Sequence, residues 1–192
     1  MKSGEGSENA LLTRYARVVD RALRPVLAEQ ERPLIVAAAE PLASIFRSIT
    51  RYPHLAREVI AGSADHTPVH VLAGAAREVL NRIYADQIRE LGDLYVIREA
   101  QGRATADIAQ TARAATFGAI DTLIVDMDAS VPGTVAEADG AVAFVDAPDP
   151  ASYGVVDEIA RRALQSGARV LAARRADVPG GGALAAILRY PI

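Results

Sequence analysis

The chain has 192 residues, 51% apolar and 23% charged, with 21 Lys+Arg against 24 Asp+Glu: an ordinary globular composition, long enough for one large domain or two small ones. It has no cysteine, which excludes disulfides, thiolate catalysis and cysteine-ligated zinc. No apolar run approaches the roughly 20 residues of a membrane helix, and no signal-peptide pattern opens the chain, so a cytoplasmic location is expected.

Residues 1–8 (MKSGEGSE) are small and polar, and read as a disordered or cloning-derived tail. From Leu11 to Leu27, apolar residues recur at helical spacing and predict an amphipathic helix that Pro25 tightens or ends. Pro33–Ala38 reads as a short buried strand, and Pro41 as the first position of a helix through PLASIFRSIT. Glu58–Ala61 offers a second strand. Thr67-Pro68 caps a long helix that reaches about Ala100, and Gly102 separates it from another over residues 104–117. Strand and helix then alternate. Strands are expected at Ile120–Asp126, Ala141–Val145, Arg169–Ala172 and Leu184–Tyr190, with a hairpin around Pro132-Gly133 and a helix over 152–165 that Gly167 stops.

Such alternation predicts a layered α/β architecture, divided at about residue 90 into segments 1–90 and 91–192. The first segment offers two short strands, a thin sheet with unprotected edges. It is expected to gain strands by self-association, or because the natural product is longer.

Charge is uneven along the chain. Between Arg113 and Arg161 there is no basic residue, yet seven carboxylates precede Asp157. Affinity for nucleic acid begins with Lys and Arg at phosphates, so free-standing nucleic-acid binding is not expected of the second half; a protein partner with a basic face suits it better.

TLIVDMDASVPG (residues 122–133) delivers Asp126 and Asp128 to the end of an apolar strand, the arrangement of magnesium-dependent phosphatases of the haloacid dehalogenase type. That chemistry also needs a cation for the transferring phosphoryl group and further carboxylates for the metal. Lys2 is the only lysine, Asp146 and Asp149 are split by prolines, and Asp157-Glu158 fall in a predicted helix. The pair reads better as an acidic strand end, with the phosphatase kept as the alternative. His66 and His70 have metal-pair spacing, but Pro68 between them marks a helix start and puts them on different faces. Gly180-Gly181-Gly182 leads into a strand rather than a helix, which makes it a turn and not a phosphate loop. The serines lack a nucleophile-elbow context. No catalytic, cofactor-binding or metal residue is assigned.

Two motifs in the second half resemble a known family. ATFGAIDTLIVD is similar to the opening of the third domain in archaeal and eukaryotic class-one release factors and Pelota, where a small-residue helix runs into a "GAVETLLI"-like strand. ALQSGARVLAARRADVPGGGALAAILRY resembles the end of that domain, with its "GA-x-V" strand and closing "ILRY" or "ILRF" strand. Together they cover residues 104–190. In the first half, LLTRYARVVDRALRPVL and PLIVAAAEPLASIF resemble the later part of the middle domain. "AAAEPLASIFRS" and "RYPHL" are similar to phrases of the bacterial archaeo-eukaryotic release-factor-like family, which extends the likeness to residues 10–190.

The resemblance implies an incomplete ribonuclease-H-like middle-domain portion over 1–90. It implies a three-layer α/β/α domain over 91–192, like that of kink-turn-binding ribosomal proteins. It also implies a translation-associated, ribosome-binding role in which the third domain docks a translational GTPase. Peptide release by such factors uses a Gly-Gly-Gln loop, and no Gly-Gly-Gln occurs in this chain. The resemblance therefore implies a non-catalytic module, without cofactor or metal, acting through protein–protein docking in a termination-like, rescue or dormancy role.

Overall fold

The structure is a computed structural model that describes residues 3–146 and 153–191. It forms two compact units, residues 1–86 and 87–192.

In the first unit, α1 (Ser3–Leu27) precedes β1 (Leu34–Ala38), α2 (Leu42–Ile49) and β2 (Leu55–Ala61). The helix begins well before Leu11, so the small polar start does not act as a tail from Ser3 on. Pro25 lies inside the last turn without ending it. β1 and β2 pair in parallel, Val36 opposite Val59 and Ala38 opposite Ala61, with an irregularity between Leu34 and Val36. Parallel pairing needs a crossover, and α2 supplies it. Its buried Ala43 and Phe46 lie one turn apart, which fixes the inward face. Ala16 of α1, Ala56 of β2 and Val79 of α3 (Val69–Ala100) are also buried. Among the described residues this sheet has two strands, each with an unpaired outer edge.

The second unit is built on a four-stranded sheet, order β3-β9-β4-β8. Its strands are β3 (Ala104–Thr105), β4 (Ile120–Asp126), β8 (Arg169–Ala173) and β9 (Leu184–Leu188). β4 runs parallel to β8 and antiparallel to β9. Period-two alternation sorts the side chains to two faces. Leu123, Leu184, Ala186 and Leu188 pack with Ala112 and Ala115 of α4 (Ile108–Thr116) and Val156 and Ile159 of α5 (Val155–Gln165). Ile124, Ala185 and Ile187 pack on the opposite face with Leu91 and Tyr95 from the end of α3. Helices on both faces of a central sheet make three layers. β4 and β9 are therefore covered on both sides, and all five residues of β9 are buried.

Two local expectations are corrected. Residues 104–117 are not one helix. Ala104–Thr105 joins the sheet edge beside β9, and Asp107 then caps α4 by accepting the Gln110 N–H at 2.8 Å. The early helix start fails because the cap lies at Asp107, three residues on. Pro132-Gly133 is not a hairpin turn either. It opens β5 (Pro132–Val135), which pairs with β6 (Val142–Phe144) on one side and β7 (Tyr153–Gly154) on the other. The turn lies at residues 136–141, closed by the Gly140 N–H on the Ala136 carbonyl at 3.1 Å. Gly133 is needed for close packing: a Cβ there would stand 2.5 Å from the Ala143 carbonyl oxygen.

Candidate functional site

β4, an interior strand, carries the Asp126/Asp128 pair to its C-terminal end, and the local hydrogen bonds define what the pair does. The Asp126 N–H donates to Ala183 (2.9 Å) and the Met127 N–H to Ala173 (2.9 Å), so the strand end is tied to both neighbours. The Asp126 carboxylate is buried and accepts the Asp128 N–H at 3.1 Å; the Asp126 carbonyl accepts from Ala129 at 3.1 Å. This is an aspartate closing its own turn. Asp128 is exposed beyond it. The two carboxylates do not converge on a shared ligand position, and among the described residues no group of three His, Asp or Glu can hold a metal. The phosphatase alternative finds no support in this geometry.

The other sequence candidates are separated in the same way. His66 ends a short 3-10 turn (Ala64–His66), while His70 lies in the first turn of α3; both are exposed. Gly180 and Gly181 adopt positive φ (80° and 65°) in a turn that enters β9, with the Gly181 carbonyl accepting from Arg175 Nε at 3.2 Å. The phosphate-loop geometry, glycines between a strand and a helix, is not formed.

What the second unit does present is a set of exposed carboxylates on several of its loops and strand ends. Asp121, Asp128, Glu137, Asp139 and Asp146 are all exposed; Asp149, the seventh carboxylate of the run, lies outside the described residues. The stretch between Arg113 and Arg161 is free of bases in sequence but not in space. Arg162 reaches into it from α5, donating from Nη1 to Thr116 Oγ1 (2.7 Å) and the Ala136 carbonyl (2.9 Å), and from Nη2 to the Val135 carbonyl (2.9 Å). Its Nε donates to Glu158 Oε1 at 2.7 Å. Hydrogen bonds from Arg161, then those from Arg162, hold the Glu158 carboxyl down at about 2. Arg162 thus fastens the β5–β6 turn to α4 and α5, which fixes the position of Glu137 and Asp139. Sequence reading missed this residue because its partners are backbone carbonyls far away in the chain.

No described helix is long and apolar enough to cross a membrane.

This mixed α/β fold is similar to those of solved Pelota and release-factor structures. A chain in a model of ribosome-bound archaeal Pelota and ABCE1 superposes with a TM-score of 0.61 at 18% identity, over 93% of this chain and 49% of that one. Dom34 of S. cerevisiae, described as a translation termination-like factor involved in RNA quality control pathways and interacting with Hbs1, gives 0.55 at 13% identity, over 93% and 52%. The C-terminal domain of a peptide chain release factor from Methanosarcina mazei gives 0.50 at 17% identity, over 66% of this chain and 98% of that domain. The chain thus spans about half the length of the Pelota and Dom34 chains it matches. Among curated proteins, none matches the chain in sequence.

In sequence, the first unit gives a narrower likeness. Residues 1–86 match the family model of bacterial archaeo-eukaryotic release factor family 11, and the release-factor-like recognition drawn from "AAAEPLASIFRS" and "RYPHL" holds.

Proposed function

We propose that this chain is a non-catalytic, ribosome-associated module of the bacterial release-factor-like family. It acts in a termination-like, rescue or dormancy role through protein–protein docking. On this reading residues 1–90 are the later, ribonuclease-H-like part of a middle domain, and 91–192 are a third domain like that of kink-turn-binding ribosomal proteins. The module works in the cytoplasm, where its partners are. One observation carries the reading: a Pelota-type fold over 93% of the chain, combined with a family match on residues 1–86. The relatives support the partner class, since the archaeal Pelota structure is ribosome-bound and Dom34 is described as interacting with Hbs1.

The docking element is the second unit. Its exposed carboxylates at Asp121, Asp128, Glu137, Asp139 and Asp146 suit a basic protein face, such as that of a translational GTPase, and repel a phosphate backbone. The two-stranded first sheet, with both outer edges unpaired among the described residues, supports self-association or pairing with further strands.

Ribosome co-sedimentation tests the proposal. The protein is expected in the ribosomal fractions, and reversing Asp128, Glu137 and Asp139 to lysine is expected to deplete it there without unfolding it. Persistent absence from ribosomal fractions, in growth and under stress, would refute the reading.

A further inference from the structure

The first unit gathers positive charge on one side of α1. Arg14, Arg17, Arg21 and Arg24 follow a three-four-three spacing, which places them on one helical face. Arg17 and Arg24 are separated by about 10 Å along the axis. Arg51, from the loop after α2, joins Arg17, Arg21 and Arg24 around a cavity of about 380 Å³ with Asp20 and Ile49 in its wall. Like charges at this spacing cost a helix a few tenths of a kcal/mol per pair. The fold offsets little of that cost. Asp20 is buried, and its Oδ2 accepts both Arg24 Nη2 (2.8 Å) and Nε (3.1 Å). The hydrogen bond from Arg24 holds the Asp20 carboxyl below its ordinary range, so it stays ionised. Among the described residues, Arg17, Arg21 and Arg51 make no salt bridge within 4 Å, although the charge of Arg51 also lowers the Asp20 carboxyl, and all three are exposed.

A second cleft of about 440 Å³ shares Asp20, Arg24 and Arg51 with the first and continues along Leu27, Tyr52 and Pro53. Tyr52 is held in place there: its hydroxyl lies 2.9 Å from the Gln30 carbonyl and 2.7 Å from that of Arg32. A guanidinium cluster opening onto an apolar wall with a fixed aromatic ring matches the two halves of a nucleotide. Guanidinium forks take phosphate oxygens, and an aromatic ring takes a base. An acidic peptide would use the arginines and leave the Tyr52 cleft empty, so the pair of clefts favours nucleic acid.

We propose that these joined clefts bind single-stranded nucleic acid, with phosphates on Arg17, Arg21 and Arg51 and a base against Tyr52. This goes beyond the docking reading, which concerns the second unit. The expectation of no free-standing nucleic-acid binding rests on the acidic balance of residues 114–160 and does not extend to this face.

The test is fluorescence anisotropy of a fluorescein-labelled oligouridylate titrated with the full chain. Three phosphate contacts at about 0.7 each give a slope of about −2.1 in log K against log salt, and about an 18-fold loss of affinity from 50 to 200 mM salt. Arg17→Ala with Arg21→Ala should cut the slope to about −0.7. Arg17→Lys with Arg21→Lys should retain it, which separates lost charge from lost fold. Tyr52→Leu should weaken binding several-fold at unchanged slope, while Tyr52→Phe keeps the ring and the affinity. Arg57→Ala and Arg77→Ala, outside the clefts, should match the wild type. The proposal is overturned by no binding at 50 mM salt, by an unchanged slope in the double alanine variant, or by polyglutamate of equal charge competing as well as unlabelled RNA. None of these outcomes alters the result expected in co-sedimentation.

Discussion

Replacing Arg162 is the most direct test of how the second unit holds its β5–β6 turn. Only 10% of its side chain is exposed, and that of its partner Glu158 only 13%. Four of the five guanidinium N–H groups are used, at 2.7 to 2.9 Å, on Glu158, Thr116, Ala136 and Val135. Breaking a buried pair by removing one partner costs about 3–5 kcal/mol. The lower end applies to Arg162→Ala, because Glu158 retains Arg161 Nε at 2.7 Å. A loss of about 3 kcal/mol lowers the melting temperature of a domain near 100 residues by about 12–24 °C. Arg162→Lys keeps the charge but not the planar fork, and should lose less than the alanine variant but more than an ordinary surface substitution. Urea unfolding followed by far-UV circular dichroism measures both losses. Hydrogen exchange should localise the effect, with amides of β5 and β6 exchanging faster while those of β9 change little. If Arg162→Ala unfolds within about 0.5 kcal/mol of wild type, which is the range of ordinary surface substitutions, the fastening role is refuted.

Three further outcomes follow from the same unit. The Glu158 carboxyl, held at about 2 against an ordinary 4.5 by hydrogen bonds from Arg161 and then Arg162, contributes stability that is full above about pH 4.5 and lost as pH falls toward 2. Urea midpoints between pH 5 and 2 should therefore fall more steeply in wild type than in Glu158→Gln. Asp107→Ala removes the cap on the Gln110 N–H and should cost about 1 kcal/mol by thermal unfolding, while Asp107→Asn retains most of it. Gly133→Ala would force a Cβ to 2.5 Å from the Ala143 carbonyl oxygen and 2.9 Å from Val155 Cγ2, and should cost more than about 2 kcal/mol. Gly167→Ala meets open space and carries only the positive-φ cost of about 1–2 kcal/mol; equal losses at the two glycines would contradict the packing argument.

Legibility in the sequence followed the range of the interactions. β4 was readable because the apolar run Leu123–Val125 is stopped by Asp126, and a strand buried on both faces shows such a run in place of alternation. The long helix to Ala100 announced itself through Thr67-Pro68 and its apolar spacing. β3 was hidden because two residues, Ala104 and Thr105, have no period. They become a strand only by pairing with Ile187 and Ala186, more than eighty positions away. Pro132-Gly133 carries turn chemistry locally, yet pairing of Gly133 with Phe144 and of Pro132 with Gly154 overrides it. The arginine cleft was half visible. The spacing of Arg14, Arg17, Arg21 and Arg24 lies in the sequence, but the arrival of Arg51 and Tyr52 beside them depends on where α2 returns the chain.

The Asp126/Asp128 pair shows why a motif needs its surroundings before it means chemistry. A catalytic aspartate must present its oxygens to a ligand, whereas Asp126 is buried and spends one on the Asp128 N–H. That bond holds the exit from β4, and the exit aims Asp128 outward. One carboxylate therefore sets the shape of the strand end and the other contributes its charge. The arginines of the first unit follow the same logic with the opposite sign: buried Asp20 orients Arg24, and Arg17, Arg21 and Arg51 are left to carry the field outward. In both units a buried aspartate acts as the local organiser, and the recognising charge belongs to exposed neighbours. Exposed charge of opposite sign on the two units fits the two proposals, a polyanion for the first unit and a basic protein face for the second, because neither charge pattern can bind the other's ligand.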